Sequence, residues 1–108
     1  MRKVQIAAKI ISNKQLGQRY FKAVLAAAAV ADKARPGQFV MVRPQTGVEP
    51  LLRRPLGIHN VCGRNIELLY EVVGPATGIL SQKSPGELVD IIGPLGNGFC
   101  YEGRNTRG

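Results

Sequence analysis

Metal-binding and aromatic side chains are scarce in this 108-residue sequence: two cysteines, one histidine, no tryptophan, and aromatics at 6%. Cys62 and Cys100 lie far apart and form no C-x-x-C pair, and with His59 alone they fall short of a metal-ligand set. No metal is expected, and a reduced cysteine pair is expected rather than a disulfide. The few aromatics are not interleaved with the basic residues, which argues against a stacking platform for single-stranded nucleic acid. No apolar run approaches the roughly 18 residues of a membrane helix; the longest candidate, residues 23–31, is mostly alanine. Met1-Arg2-Lys3-Val4 shows no signal-peptide core, so a cytoplasmic location is expected. Acidic residues are also few, seven against 15 Lys and Arg, for a net charge of +8. Residues 1–35 hold eight of those cations and only Asp32 in return. Dispersed in this way, the charge reads either as a solvated basic face or as an attraction for phosphates. No nucleic-acid or membrane partner is expected.

Glycine and proline are plentiful, 13 and 7, within a composition that is 44% hydrophobic. That combination suits one globular domain of strands and turns. Period-two alternation marks a strand over residues 3–12, turn residues fill 13–17, and 20–25 reads as the antiparallel partner. Alanine favours helix over residues 25–31, but the run is about two turns long and ends at Arg35-Pro36-Gly37. It is read as a strand end followed by a loop. Further strands are predicted over 38–43, 55–61, 66–73 and 87–92, with a polar loop over 44–50 and a short helix over 76–83. The strand at 66–73 looks apolar on both faces, as in a barrel wall. The expected fold is mainly all-β: a six-stranded antiparallel Greek-key barrel with one short helix, residues 1–99, and a tail over 100–108.

Three stretches draw attention. Pro50-Leu51-Leu52-Arg53-Arg54-Pro55-Leu56-Gly57 sets two guanidinium groups beside a rigid extended backbone, either as a solvated rim or as a grip on phosphate oxygens. Val73-Gly74-Pro75-Ala76-Thr77 opens the predicted helix, either as an anion-binding turn or as an ordinary turn capped by threonine. Gly93-Pro94-Leu95-Gly96-Asn97-Gly98-Phe99 carries no acid, base or nucleophile, so its role must be backbone geometry, as a scaffold or hinge. The lone His59 has no evident partner, and no serine sits in a nucleophile elbow. Redox chemistry here would require a cofactor.

Together with Pro36-Gly37-Gln38-Phe39-Val40, Leu69-Tyr70, Val73-Gly74, Thr77 and Leu80-Ser81, these motifs resemble the FAD-binding barrel of the ferredoxin–NADP reductase superfamily. More narrowly, they resemble the electron-transfer subunits of the two-subunit, NAD-linked dihydroorotate dehydrogenases. The resemblance implies a flavin site. Arg54 would face the FAD phosphates, with Pro55, Leu56 and Gly57 along the isoalloxazine. Leu69, Tyr70 and Glu71 would contact the flavin from the next strand, and Ala76-Thr77 would cradle the pyrophosphate. Three positions depart from the family pattern. Gly57 replaces Ser or Thr, Glu71 replaces an arginine, and Ala76 replaces a glycine; each change predicts weaker FAD binding. The resemblance also implies electron relay between a catalytic dihydroorotate dehydrogenase subunit and NAD in pyrimidine synthesis. The family's nucleotide-binding domain and iron–sulfur segment follow the Gly-Pro-Leu-Gly-Asn-Gly-Phe turn and are absent from these 108 residues, so the domain alone is not expected to be active. The alternatives are the barrel of a related reductase, hydrogenase or sulfite reductase subunit, or a scaffold that has lost its flavin.

Overall fold

The computed structural model describes residues 3–44 and 53–96. Leu51, Leu52, Asn97, Gly98, Phe99, Cys100 and the predicted tail lie outside the described residues. Within them the chain forms β1 (Val4–Gln15), β2 (Tyr20–Ala26), α1 (Ala28–Ala31), β3 (Phe39–Arg43), β4 (Arg54–Cys62), β5 (Asn65–Glu71), α2 (Pro75–Ser81) and β6 (Leu88–Leu95). The strands close into an antiparallel barrel in the order β1-β2-β5-β4-β3-β6. The predicted six-stranded Greek-key barrel is therefore the fold, with two short helices where one was expected.

Alternation decides which side chains fill the barrel. Ala8 and Ile10 of β1 point inward, as do Ala23 and Leu25 of β2, Val40 and Val42 of β3, Ile66, Leu68 and Tyr70 of β5, and Val89 and Ile91 of β6. Each large aliphatic among them contributes roughly 1.5–3 kcal/mol by leaving water. Contrary to the two-faced reading, β5 alternates cleanly, with Glu67, Leu69 and Glu71 outside. The helices sit at opposite ends. α1 lies beside the β4–β5 hairpin, where Ala27 N–H donates to Arg64 O and Val30 enters the core. It replaces the predicted loop after β2, because one helical turn buries Val30 and Ala31. α2 follows the far end of β5 and contributes Leu80 to the core.

Two strands, β1 and β6, outrun their predicted ends by three residues each. β1 continues through Asn13 to Gln15, which pairs with Phe21, leaving only residues 16–19 for the turn. A register shift between Ile10 and Ser12 leaves Ile11 as an extra residue, and the resulting bulge swings Asn13 onto the inward face opposite Ala23. β6 continues through Gly93 and Pro94 to Leu95, so half of the expected turn is strand. Gly93 pairs with Val4, and a Cβ placed there would lie 2.6 Å from Val40 Cγ1. The Gly93–Pro94 peptide is cis. Pro94 falls where the β3–β6 register breaks between Phe39 and Met41, so its missing N–H interrupts no regular ladder. Gly96, at φ 88°, then ends the strand in a conformation that favours glycine.

Candidate functional site

The three site segments expected from the sequence all run toward one end of the barrel. The β4–β5 ladder runs from Cys62↔Asn65 to Ile58↔Leu68 and stops there. Beyond Ile58 lie Gly57, Leu56, Pro55 and Arg54; beyond Leu68 lie Leu69, Tyr70 and Glu71. Because the strands are antiparallel, both sets continue in the same direction past the last rung. α2 begins at Pro75, four residues after Glu71, and brings Ala76 and Thr77 to the same end.

Their side chains divide between exposed and buried. Arg54, Pro55 and Gly57 are exposed, and a Cβ on Gly57 would meet nothing within 4 Å. Leu56 is half-buried against the core opposite Val40. Arg54 makes no hydrogen bond or ion pair among the described residues. Leu69 is 40% exposed on the outer face. Glu71 also faces outward, and its Oε2 lies 4.0 Å from Nη1 of Arg19, the last residue of the turn before β2. Ala76 and Thr77 are buried. The Thr77 hydroxyl accepts hydrogen bonds from Val73 N–H at 2.9 Å and Gly74 N–H at 3.3 Å. Its own O–H donates to Gly74 O at 3.3 Å, so the hydroxyl caps α2 internally and both its accepting and donating capacity are engaged there.

Tyr70 departs most from its expected role. Its ring is inside the barrel, stacked on Phe21 with centroids 5.7 Å apart, so its side chain cannot contact a group on the outer face. Its hydroxyl donates to Asn13 Oδ1 at 2.9 Å. Asn13 Nδ2 in turn donates to Leu80 O at 2.8 Å and Lys83 O at 3.1 Å, the carbonyls at the end of α2. Burial pushes the Tyr70 phenol up to about 12, and the bond to Asn13 offsets part of that rise. One amide thus ties β5 to α2. Asn13 reads in the sequence as a turn residue, and only the bulge at Ile11 brings it inside.

The adjacent arginines serve separate ends. Arg53 Nη2 donates to Asp90 Oδ2 at 2.8 Å, Arg43 Nη2 to the same oxygen at 3.2 Å, and Gln5 Nε2 to both carboxylate oxygens. Asp90 is 9% exposed on the outer face of β6, opposite Arg43. Burial pushes its carboxyl up. The bonds from Arg53 and Gln5 and the charges of Arg53 and Arg43 outweigh that, so it titrates below the usual carboxylate range. The signal for this network was a single carboxylate in the apolar run Val89-Asp90-Ile91-Ile92. His59 is exposed, with Nε2 3.9 Å from Glu67 Oε1, and Cys62 is an exposed free thiol. Among the described residues no three His, Cys, Asp or Glu gather as a metal-ligand group, and no helix is long and apolar enough to cross a membrane.

No family model matches the chain. Curated relatives do. The electron transfer subunit of dihydroorotate dehydrogenase B (NAD(+)) from Bacillus caldolyticus is 37% identical over 95 residues, 86% of this chain and 37% of that protein. The same subunit from Geobacillus sp. (strain WCH70) is 36% identical over 99 residues, 90% of this chain and 38% of its own length. This barrel is homologous to those electron transfer subunits. It spans about 37% of the length of these curated relatives. Among solved structures, an NADH-dependent reduced ferredoxin-NADP oxidoreductase, described in terms of flavin-based electron bifurcation, superposes with a TM-score of 0.75 at 30% identity. That match covers 86% of this chain and 34% of the other. The Amycolatopsis cytochrome P450 reductase shares the fold, at a TM-score of 0.71 and 20% identity over 88% of this chain and 29% of that one. The dihydroorotate dehydrogenase B subunit resemblance read from the Arg53-Arg54-Pro55 and Gly93–Phe99 motifs thus has support across most of the sequence.

Proposed function

We propose that this barrel binds FAD as the flavin domain of an electron-transfer oxidoreductase subunit of the dihydroorotate dehydrogenase B type. The observation carrying the reading is the placement, past the last β4–β5 rung, of an exposed Arg54 whose side chain is unpaired among the described residues, the open backbone at Gly57 and the exposed Leu69. These residues suit an isoalloxazine edge laid along β4 with a phosphate near Arg54. Arg54 offers a bidentate guanidinium fork that nothing else among the described residues occupies. Gly57 leaves room for a planar ring to approach the strand, and Leu69 supplies an apolar flank that excludes water. The pyrophosphate end fits less well: the Thr77 hydroxyl is committed to α2, and Glu71 sets a carboxylate on the same face. Arg19 offsets part of that charge. Bound FAD supplies exchange of electrons between a two-electron carrier and one-electron carriers.

The relatives' name supports the wider reading, in which NAD and a catalytic dihydroorotate dehydrogenase subunit are the redox partners and pyrimidine synthesis is the setting. The 30% identical ferredoxin-NADP oxidoreductase favours a second reading, the same barrel serving another NADH-linked reductase. The test is the visible absorbance of the purified protein, followed by fluorescence titration with FAD. Saturable FAD binding weakened about tenfold by Arg54→Ala, roughly 1.4 kcal/mol, is the expected result. Absence of flavin binding would leave the barrel as a scaffold.

A further inference from the structure

A second cluster of charge lies away from the flavin segments, on the outer face of β1, β6 and β3. A cleft of about 390 Å³ there is lined by Gln5, Arg43, Pro44, Lys83, Leu88 and Asp90, among others. Of the cations around it, Arg43 and Lys83 line the cleft and Arg53 reaches Asp90 from beside it; the three side chains are 23%, 18% and 18% exposed. Three cations share two carboxylates, Asp90 and the outlying Glu87, which sits 3.7 Å from Lys83. One positive charge is left over in a half-enclosed setting, where it attracts anions more strongly than at an open surface. Hydrogen bonding is also incomplete. Arg43 Nε and Arg53 Nη1 are closed to solvent and have no acceptor among the described residues, so their charge is less offset by hydrogen bonding although neither atom opens into the cleft.

We propose that this cleft binds a small molecule through an oxyanion, a carboxylate or phosphate, held by Arg43 and Lys83, with its apolar part against Ala7 and Leu88. The volume exceeds that of a bare oxyanion, which points to a small organic acid or phosphomonoester. Asp90 holds both guanidinium groups in place, and its own charge keeps the site selective for ligands of low charge. The proposal does not depend on the flavin reading.

The test is two-dimensional amide NMR of the full chain, titrated with inorganic phosphate and, separately, with benzoate, against sodium chloride at matched ionic strength. Saturable shifts centred on Gln5, Ala7 and Val89, produced by either probe and not by chloride, are expected; the more effective probe identifies the oxyanion. Lys83→Gln, and independently Arg43→Lys, should weaken the response about tenfold in a chain whose spectrum stays dispersed, whereas Arg54→Ala should leave it intact. Shifts matched by chloride, shifts that survive both cleft variants, or loss of the response in Arg54→Ala would each overturn the proposal.

Discussion

The hydroxyl of Tyr70 on β5 donates a 2.9 Å hydrogen bond to Oδ1 of Asn13 on β1, inside the barrel. The orientation of the amide follows from its other side, where Nδ2 serves two carbonyls at the end of α2. Every polar atom of that amide is engaged, so removing one partner leaves a part-buried acceptor without its bond.

Tyr70→Phe is accordingly expected to cost about 1–2 kcal/mol in urea unfolding at neutral pH. A pH series separates this from simple packing loss. The folded-state phenol is raised to about 12 from its ordinary value near 10. Its contribution is thus fully present below about pH 10 and is lost as pH rises through about 12, by roughly 2–3 kcal/mol. The wild-type protein should lose more stability across that window than Tyr70→Phe; parallel curves would refute the assignment.

Asp90→Asn should destabilise by about 2–4 kcal/mol, because Arg43 and Arg53 would share a neutral amide at a site largely closed to water. The carboxyl is depressed in the folded state. Its stabilisation is present above the ordinary carboxylate value near 4 and disappears as pH falls below it. Unfolding midpoints measured from pH 7 to pH 2 should therefore converge for the two proteins at the acid end.

Gly93→Ala would set a methyl 2.6 Å from Val40 Cγ1 and 3.3 Å from Phe39 O. A loss of about 1–3 kcal/mol is expected from overpacking. Val40→Ala makes room, so the double variant should be clearly more stable than the sum of the two single losses implies. Strict additivity in thermal melts would show that the contact relaxes freely.

Glu71→Arg bears on the flavin reading. It replaces a carboxylate with a cation on the face shared with Arg54 and ends the pair with Arg19. FAD should bind about tenfold more tightly, about 1.4 kcal/mol, with Glu71→Gln in between. Unchanged affinity in the fluorescence titration would place the phosphates elsewhere.

Much of the barrel is legible in the sequence because one physical signal, period-two alternation, governs most strands. Ala8, Ile10, Ala23, Leu25, Val89 and Ile91 all face inward as their spacing predicts. The misreadings occur where that phase is broken or overruled. Asn13 carries turn propensity, and nothing local announces the bulge that turns it inward. The alanines at 28–31 form helix because Val30 finds a place in the core. Gly93-Pro94 looks like a turn until Val40 is seen to need the space of the missing side chain. The candidate site was legible as motifs, but its facing was not. Arg53 and Arg54 are identical in type and adjacent, and only the fold sends the first to Asp90 and leaves the second exposed at the rim with no side-chain partner among the described residues. Tyr70 was placed on the flavin by its motif and is carried inward by the alternation of β5.

The seam between β1 and β6 gives the barrel a mechanical direction. Their six rungs run antiparallel from Val4↔Gly93 to Lys9↔Leu88, so the outermost rung joins the beginning of the first strand to Gly93, near the end of the final one. A pull between those two ends loads that rung first and then each following rung in turn, as a zipper opens. It does not shear all six together. Tension arriving along the chain at Gly96 would therefore load the Gln38–Gly96 hydrogen bond and the Phe39–Leu95 pair first and the Val4–Gly93 rung next, before the β4–β5 hairpin bore any load.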